Sequence, residues 1–192
     1  MRRIMLKTIL FTCLLTAVAS PAVAAEKAMS AEVEKLLNYA RVTKHHEVLA
    51  KLKGDWRGRG SLVNTEGGAA EKILCKASYK LILGGRFVEQ QTVCKGAGFS
   101  FDGVGHFGYD ALSRTYVGTS MTTADSGIST LNGVMSGKVI TFNISHNNIN
   151  LKKRVISRAT LTIEDNGAHK YEISAADKSG VMKPIFSVTY TK

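Results

Sequence analysis

The fold of this chain is decided by three stretches, Gly84-Gly-Arg-Phe87, Phe101-Asp-Gly-Val-Gly-His-Phe-Gly-Tyr-Asp110 and Tyr116-Val-Gly-Thr119. They read as a tight turn followed by strands whose apolar residues recur with a period of two. Two successive glycines form a common hairpin turn, and a glycine inside a strand marks a bend or a close approach. The stretches therefore predict antiparallel hairpins in a strongly curved sheet.

The same period of two continues from residue 56 to the end of the chain. Turn signals rich in glycine, asparagine and aspartate separate the alternating segments, and the sequence contains two prolines. Short strands at spacings of roughly 8–12 residues are typical of an up-and-down barrel. We predict an all-β fold, an antiparallel up-and-down barrel of about ten strands with an N-terminal helix. The strands are expected at 56–64, 72–83, 86–94, 99–109, 115–122, 128–136, 138–145, 155–164, 169–175 and 184–191.

The first 24 residues have the composition of a cleaved secretory signal peptide. Basic residues precede a short apolar run at 9–18, and Ala22-Val-Ala24 is a cleavage site of the A-x-A type. Cys13 lies inside the apolar run rather than at its end, which argues against a lipoprotein. The mature protein is expected to begin at Ala25 or Glu26 and to be periplasmic or secreted.

The remaining chain divides into two predicted parts, a helical segment at 25–53 and a barrel domain at 54–192. Ser30 is a suitable helix cap, and apolar residues recur at helical spacing after it, at Val33, Leu36, Leu37 and Ala40. No later segment is apolar enough to span a bilayer as a helix.

Charge limits the classes of partner. The net charge of +11 falls to +8 when the three basic residues of the leader are removed. Such an excess favours anionic surfaces or ligands. The cations are scattered, with one run at 152–154, and no nucleic-acid-binding motif is present. Nucleic-acid binding is therefore not predicted.

The two cysteines of the mature chain fit one hairpin. If Gly84-Gly85 is a two-residue turn, Cys75 lies directly opposite Cys94, and Lys80 lies opposite Glu89. Opposed Cα atoms are roughly 4.5–5.5 Å apart, within the disulfide range. An exported protein meets an oxidising compartment, so we predict a Cys75–Cys94 disulfide. The face of the hairpin that carries Lys80 would be exposed to solvent, and the opposite face would line the barrel interior.

Further motifs carry a family resemblance. They are His46, Leu49 and Leu52 before Gly54-Asp-Trp56, Gly84-Gly-Arg-Phe87 with Glu89, the glycine-rich block at 101–110, and Tyr116-Val-Gly-Thr119. Over residues 44–192 the chain resembles an uncharacterised bacterial family of lipocalin-related (calycin-like) β-barrels. The resemblance implies an antiparallel barrel whose biochemical role is unassigned, so it supplies no catalytic residue. Gly118-Thr-Ser-Met121 departs from the Trp and Asp that the family often has there.

The resemblance also implies a structural role for Trp56. In lipocalin-like barrels the Gly-x-Trp closes one end, with the indole under a cationic side chain that Lys192 or Arg57 could supply here. Related haem-binding barrels carry a Gly-x-Trp-x-Gly-x-Gly pattern that residues 54–60 reproduce. Haem is therefore a weaker alternative, ligated by a single inward histidine. His146 and His169 are expected at opposite barrel ends, so they cannot share a metal, and no metal or other cofactor is predicted.

The glycines of strand 99–109 point to a cavity or to a bend. Gly103 and Gly105 share a face with aromatic residues, and a glycine within a strand needs a reason. Two explanations of these glycines remain equally open, room for a ligand and a sharp bend at a barrel corner. If they leave room for a ligand, Gly105→Phe is expected to fill that space. The residues expected to line the cavity are Tyr79, Leu81, Val88, Gln90, Phe101, Gly103, Gly105, Phe107, Tyr109, Phe142, Ile144, Tyr171 and Phe186. Arg86, Tyr79 or Gln90 would position a polar head, and Arg86 is also expected to have a structural role, as Trp56 has.

These observations favour an exported small-molecule-binding barrel for an apolar or amphipathic ligand. No paired carboxylates, nucleophile elbow, zinc spacing or phosphate loop is present, so an enzyme is not favoured. The main alternative is an envelope interaction or inhibitor protein with a filled barrel. A barrel isomerase on an apolar substrate is weaker, and an ionisable pair deep in the cavity would favour it.

Overall fold

The computed structural model describes residues 29–63, 68–148, 151–177 and 179–192. The expected signal peptide at 1–24, with Cys13 and the cleavage site, lies outside these residues. Within the described ranges, no helix combines the length and the apolar character that crossing a membrane requires.

Two short helices precede the barrel, α1 (Ala31–Tyr39) and α2 (Lys44–Ala50). Ser30 caps α1 by accepting a hydrogen bond from the Val33 backbone N–H. The Thr43 backbone N–H donates to His46 Nδ1 at 3.0 Å, which fixes the first turn of α2. Helix α1 buries none of its residues, whereas α2 buries His46 and Leu49. Only α2 is therefore part of the packed structure.

Ten antiparallel strands follow and form a closed barrel in which each strand pairs with the next and β1 pairs with β10. The predicted fold class is confirmed, and the predicted strand ends differ from the observed ones by at most three residues. The strands are β1 (Gly54–Leu62), β2 (Glu71–Ile82), β3 (Phe87–Lys95), β4 (Ser100–Asp110), β5 (Thr115–Thr122), β6 (Ser129–Ser136), β7 (Val139–Asn148), β8 (Lys153–Ile163), β9 (His169–Ala176) and β10 (Met182–Thr191).

The β2–β3 hairpin has the predicted register with a different turn. Cys75 pairs with Cys94 and forms the predicted disulfide. The last pair is Ile82 with Phe87, so four residues connect the strands instead of two. Gly84 adopts a φ of 69° within this turn, a left-handed conformation that glycine adopts without steric cost.

The expected ion pair of this hairpin is replaced by another. Lys80 and Glu89 are opposite each other in the register. The Glu89 carboxylate, however, lies 3.6 Å from His106 Nε2 on β4 and accepts a hydrogen bond from Gln91. Within the part of the chain that the structure describes, Lys80 has no ion-pair partner. Both groups are on the outer face, so the exchange has little energetic consequence.

Helix α2 closes one end of the barrel, together with the β2–β3, β4–β5, β6–β7 and β8–β9 connections. The Trp56 indole N–H donates to the Leu52 carbonyl at 2.6 Å, and Lys192 Nζ lies 4.9 Å from the indole ring centre. The Arg86 guanidinium donates to the carbonyls of Ala40 and Leu83. We refer to this side as the closed end. The opposite side, where β1 ends and β10 begins, is the open end.

Reduction of the Cys75–Cys94 disulfide is expected to lower the free energy of unfolding by about 3 kcal/mol, because the bridge closes a short loop in the unfolded chain. The measurement is denaturant unfolding with and without reductant. Intact mass should rise by two hydrogen atoms on reduction. Alkylation of both thiols in unreduced native protein would contradict the bridge.

Candidate functional site

A cavity of about 240 Å³ lies inside the barrel. It extends from Leu52, next to α2 at the closed end, to Leu62 and Phe186 towards the open end. Its other walls come from β2 to β5 on one side and from β8 to β10 on the other. These residues are Tyr79, Gln90, Thr92, Cys94, Phe101, Gly103, Val104, Phe107, Ser120, Met121, Thr122, Leu161, Tyr171, Ile173, Ile185 and Tyr190.

Seven of the residues expected from the sequence lie around this cavity. They come from β2, β3, β4, β9 and β10, the strands that form the hollow side of the barrel. Their role in ligand binding stays a prediction. The seven are Tyr79, Gln90, Phe101, Gly103, Phe107, Tyr171 and Phe186.

Three other expected residues are inside the barrel but in its packed part. Val88, Phe142 and Ile144 are at most 5% exposed and belong to the hydrophobic core. The Phe107 ring lies 6.3 Å from that of Phe142, so one side of the interior is filled by its own side chains. Alternation identifies the inner face of a strand but not how deeply the opposite wall packs against it, and the role of these three residues in ligand binding stays a prediction.

Leu81, Tyr109 and Arg86 lie outside the cavity. Strand β2 continues beyond the first residue of β1, which pairs with Tyr79, so Leu81 projects past the barrel wall and is 36% exposed. Tyr109 packs under α2, where its ring stacks on His45 at 4.1 Å. Arg86 binds backbone carbonyls at the closed end and cannot position a ligand head in the cavity.

The two glycines of β4 have different surroundings. Gly103 lines the cavity, and a β-carbon placed there would lie 3.1 Å from the Thr92 methyl group. Gly105 does not line it, and a β-carbon there would lie 3.4 Å from the Phe107 ring and from Gln90 Oε1. Gly103 is therefore the position that opens onto the cavity, and the expectation for Gly105→Phe stays a prediction.

A buried chain of hydrogen bonds forms the polar part of the cavity wall, near the closed end. His169 Nδ1 lies 2.9 Å from the Gly167 carbonyl oxygen, and its Nε2 lies 3.0 Å from the Tyr79 hydroxyl. Gln90 Nε2 donates to the same hydroxyl at 2.8 Å. The His169 ring also stacks on Tyr190 and meets Trp56 edge to face. The chain thus joins β2, β3 and β9 at the bottom of the cavity.

The ionisable groups at this wall are held neutral. Burial lowers the pKa of His169 below its ordinary value of 6.5. Burial raises the pKa of Tyr79, Tyr171 and Tyr190 above 10.0. A low-dielectric surrounding disfavours the charged form of each group, so the phenols stay protonated and the imidazole unprotonated near neutral pH.

The two histidines that the sequence places in the barrel interior, His146 and His169, do not fit a haem iron. Both ring nitrogens of His169 are engaged, one by Gly167 and the other by Tyr79. His146 is at the other end of the barrel, where its nitrogens contact the Asn147 carbonyl and the Ser157 hydroxyl. An iron ligand would have to give up one of these bonds, so the arrangement does not support the haem alternative. No cluster of metal-binding side chains occurs within the described ranges.

Several cavity residues were missed at the sequence level. Thr92 and Cys94 lie on the predicted inner face of β3, and Ile173 lies on the same face of β9 as Tyr171, so alternation could have found them. Ile185 could not be found in this way. The pairing of β10 with β9 shifts between Pro184 and Phe186, and this bulge brings both Ile185 and Phe186 to the cavity.

Stability is expected to fall as the pH drops from about 7 to about 5, because the pKa of His169 is lowered in the folded state and the unfolded chain takes up the proton first. His46, whose pKa burial also lowers, acts in the same direction. His169→Gln should therefore flatten the pH dependence measured by denaturant unfolding. Val134→Leu, at an exposed position on β6 that carries no titratable group, is the control and should leave it unchanged. An equal slope in wild type and His169→Gln would contradict the assignment.

Comparison with known proteins places this barrel in a family. The crystal structure of Rv2717c from M. tuberculosis matches with a TM-score of 0.57 and 13% identity, over 79% of this chain and 99% of that one. At this identity the likeness shows the fold alone. No curated protein matches the chain. Residues 41–192 match the family model described as "Protein of unknown function (DUF1579)", and the chain belongs to this family.

Proposed function

We propose that the protein is an exported barrel that binds a small, largely apolar molecule in its internal cavity. The observation that carries the proposal is the hollow side of the barrel, where apolar side chains surround about 240 Å³ of unfilled space. Apolar cavities of about 150 Å³ hold ligands of the size of benzene. The volume therefore suits a ring with a short substituent or a short acyl chain.

Burial of apolar surface supports this proposal. The cavity wall is largely apolar. A bound apolar molecule therefore gains about 25 cal/mol per Å² of apolar surface removed from water.

Export is the second part of the proposal. The Cys75–Cys94 disulfide is of the kind that forms and persists in oxidising compartments. The composition of residues 1–24 predicts a signal peptide cleaved before Ala25. We also propose that the family is related to the lipocalins, whose barrels have the same up-and-down arrangement.

An interaction protein is retained as the second candidate because of helix α1. Its Leu36 is 67% exposed and Leu37 is 49% exposed, and no residue of the helix is buried. Exposed apolar side chains of this kind occur at protein interaction sites. The form of this alternative with a filled barrel is not supported, because the cavity side of the interior is unfilled.

Wild-type protein is expected to bind fluorobenzene in a saturable manner, as followed by fluorine NMR. Gly103→Leu should weaken this binding by at least about tenfold, because the new side chain enters the cavity and occupies apolar volume. Val134→Leu, at an exposed position on β6, is the matched control and should bind as wild type does. Circular dichroism checks that each variant keeps its β-structure.

Native mass spectrometry of protein purified from the cells that produce it is a second test. A small bound mass that is lost in Gly103→Leu would support the proposal. Wild-type protein that neither carries such a mass nor takes up fluorobenzene would overturn it in favour of the interaction protein.

A further inference from the structure

The hydrogen-bond chain at the cavity wall has one direction. The Gly167 carbonyl can only accept, so the proton of His169 is on Nδ1 and its Nε2 is an acceptor. The Tyr79 hydroxyl therefore donates to Nε2 and points away from the cavity. Its oxygen accepts from the Gln90 amide N–H, as the 2.8 Å distance indicates. The direction follows from the donor and acceptor inventory of the three side chains.

This direction fixes the orientation of the Gln90 amide. With Nε2 turned to Tyr79, Oε1 lies over Gly105, 3.4 Å from where a β-carbon would stand. Among the described residues, no hydrogen bond to this oxygen is formed. Every fully buried side-chain oxygen in the same part of the chain has a partner. Gln90 Oε1 is therefore open to the cavity that Gln90 lines, as an acceptor without a donor.

The Tyr171 hydroxyl is the second open group. Tyr171 lines the cavity from β9, two residues after His169, and its ring centre lies 6.3 Å from that of Phe186. Within the described residues its hydroxyl has no hydrogen-bond partner, and by the same reasoning it faces the cavity. It can donate to a ligand and accept from one.

Among the residues that the structure describes, no charged side chain lines the cavity. The remaining polar groups of the wall, on Thr92, Ser120, Thr122 and Tyr190, are neutral hydroxyls. An ion placed here would lose its hydration without a counter-charge, at a cost of several kcal/mol. The positive net charge of the chain therefore says little about this ligand, because none of the described basic side chains reaches the site.

We infer that the cavity takes an uncharged ligand with an apolar body and one hydroxyl or N–H group, of the class of a phenol or a neutral alcohol. This group donates to Gln90 Oε1 and accepts from the Tyr171 hydroxyl. The polar wall is near the closed end, so the ligand enters with its polar group first. Its apolar body lies towards Phe101 and Phe186. The inference rests on the proposed binding function and adds the chemical class of the ligand to it.

Four fluorinated probes with the same aromatic ring test separately the hydrogen-bond donor, the hydrogen-bond acceptor and the charge of the ligand. They are fluorobenzene, para-fluorophenol, para-fluoroanisole, which accepts but cannot donate a hydrogen bond, and para-fluorobenzoate, which is charged at neutral pH. Their dissociation constants are measured by fluorine NMR at pH 7 with the disulfide-bonded protein. The phenol is expected to bind about tenfold more tightly than fluorobenzene because it can use both open groups, and the anisole, which can only accept, is expected to bind between the two. The benzoate is expected to bind at least tenfold more weakly than the phenol.

Tyr171→Phe keeps the ring and removes the hydroxyl. It should reduce the preference for the phenol over fluorobenzene to about twofold while leaving fluorobenzene binding within about twofold of wild type. Tyr116→Phe is the matched control. It removes the hydroxyl of another buried tyrosine, which contacts His45 and Met135 outside the cavity, and should retain the full preference.

The outcomes are distinct. Wild-type protein that binds fluorobenzene without preferring the phenol, or that binds the benzoate as tightly as the phenol, overturns the inference and leaves the proposed function standing. Failure to bind any of the four probes overturns both. Should Tyr171→Phe not fold, the ranking of the four probes on wild-type protein decides the matter by itself.

Discussion

Closure of the sheet by the pairing of β1 with β10 is the constraint on which the rest of the structure depends. Six residue pairs join these strands, from Arg57 with Thr191 to Leu62 with Phe186. A closed sheet has no free edge, and its strand number sets its width. Interiors fill with side chains at about eight strands, so a barrel of ten holds more space than its own residues occupy. This extra interior space must be filled by side chains, left as a cavity, or divided between the two.

This protein does both. On one side, β5 to β7 send Tyr116, Leu131, Phe142 and Ile140 into a continuous core. On the other side, a glycine at position 103 and small hydroxyl residues on β3 and β5 leave the cavity. Helix α2 closes the barrel below both sides. The division explains how one barrel combines a rigid, well-packed frame with a pocket whose polar groups are held in place by buried hydrogen bonds.

The sequence allowed the strands and the first hairpin to be predicted, because both depend on local signals. Alternation marks each strand, and the Cys75–Cys94 pair gives the register of its hairpin. Depth inside the barrel is not local. Phe142 and Phe186 both face inward, and only the packing of the opposite wall decides that one is core and the other is cavity lining.

The polar wall was beyond sequence reasoning for a similar cause. Tyr79 and His169 are 90 residues apart, and their contact depends on the closure of all ten strands. Likewise, nothing in the alternation of β10 reveals the bulge that turns Ile185 inward. Long-range register and irregular pairing, rather than residue type, determined what could not be foreseen at the site.

Trp56 has a consequence for how the protein can be observed. It is the only tryptophan of the chain, so all indole fluorescence of the protein arises from one place. That place is the closed end, where the indole ring centre lies 5.1 Å from the His169 ring and beneath the Lys192 ammonium group. The emission of the unlabelled protein is therefore an intrinsic optical reporter of the histidine that orients the cavity wall.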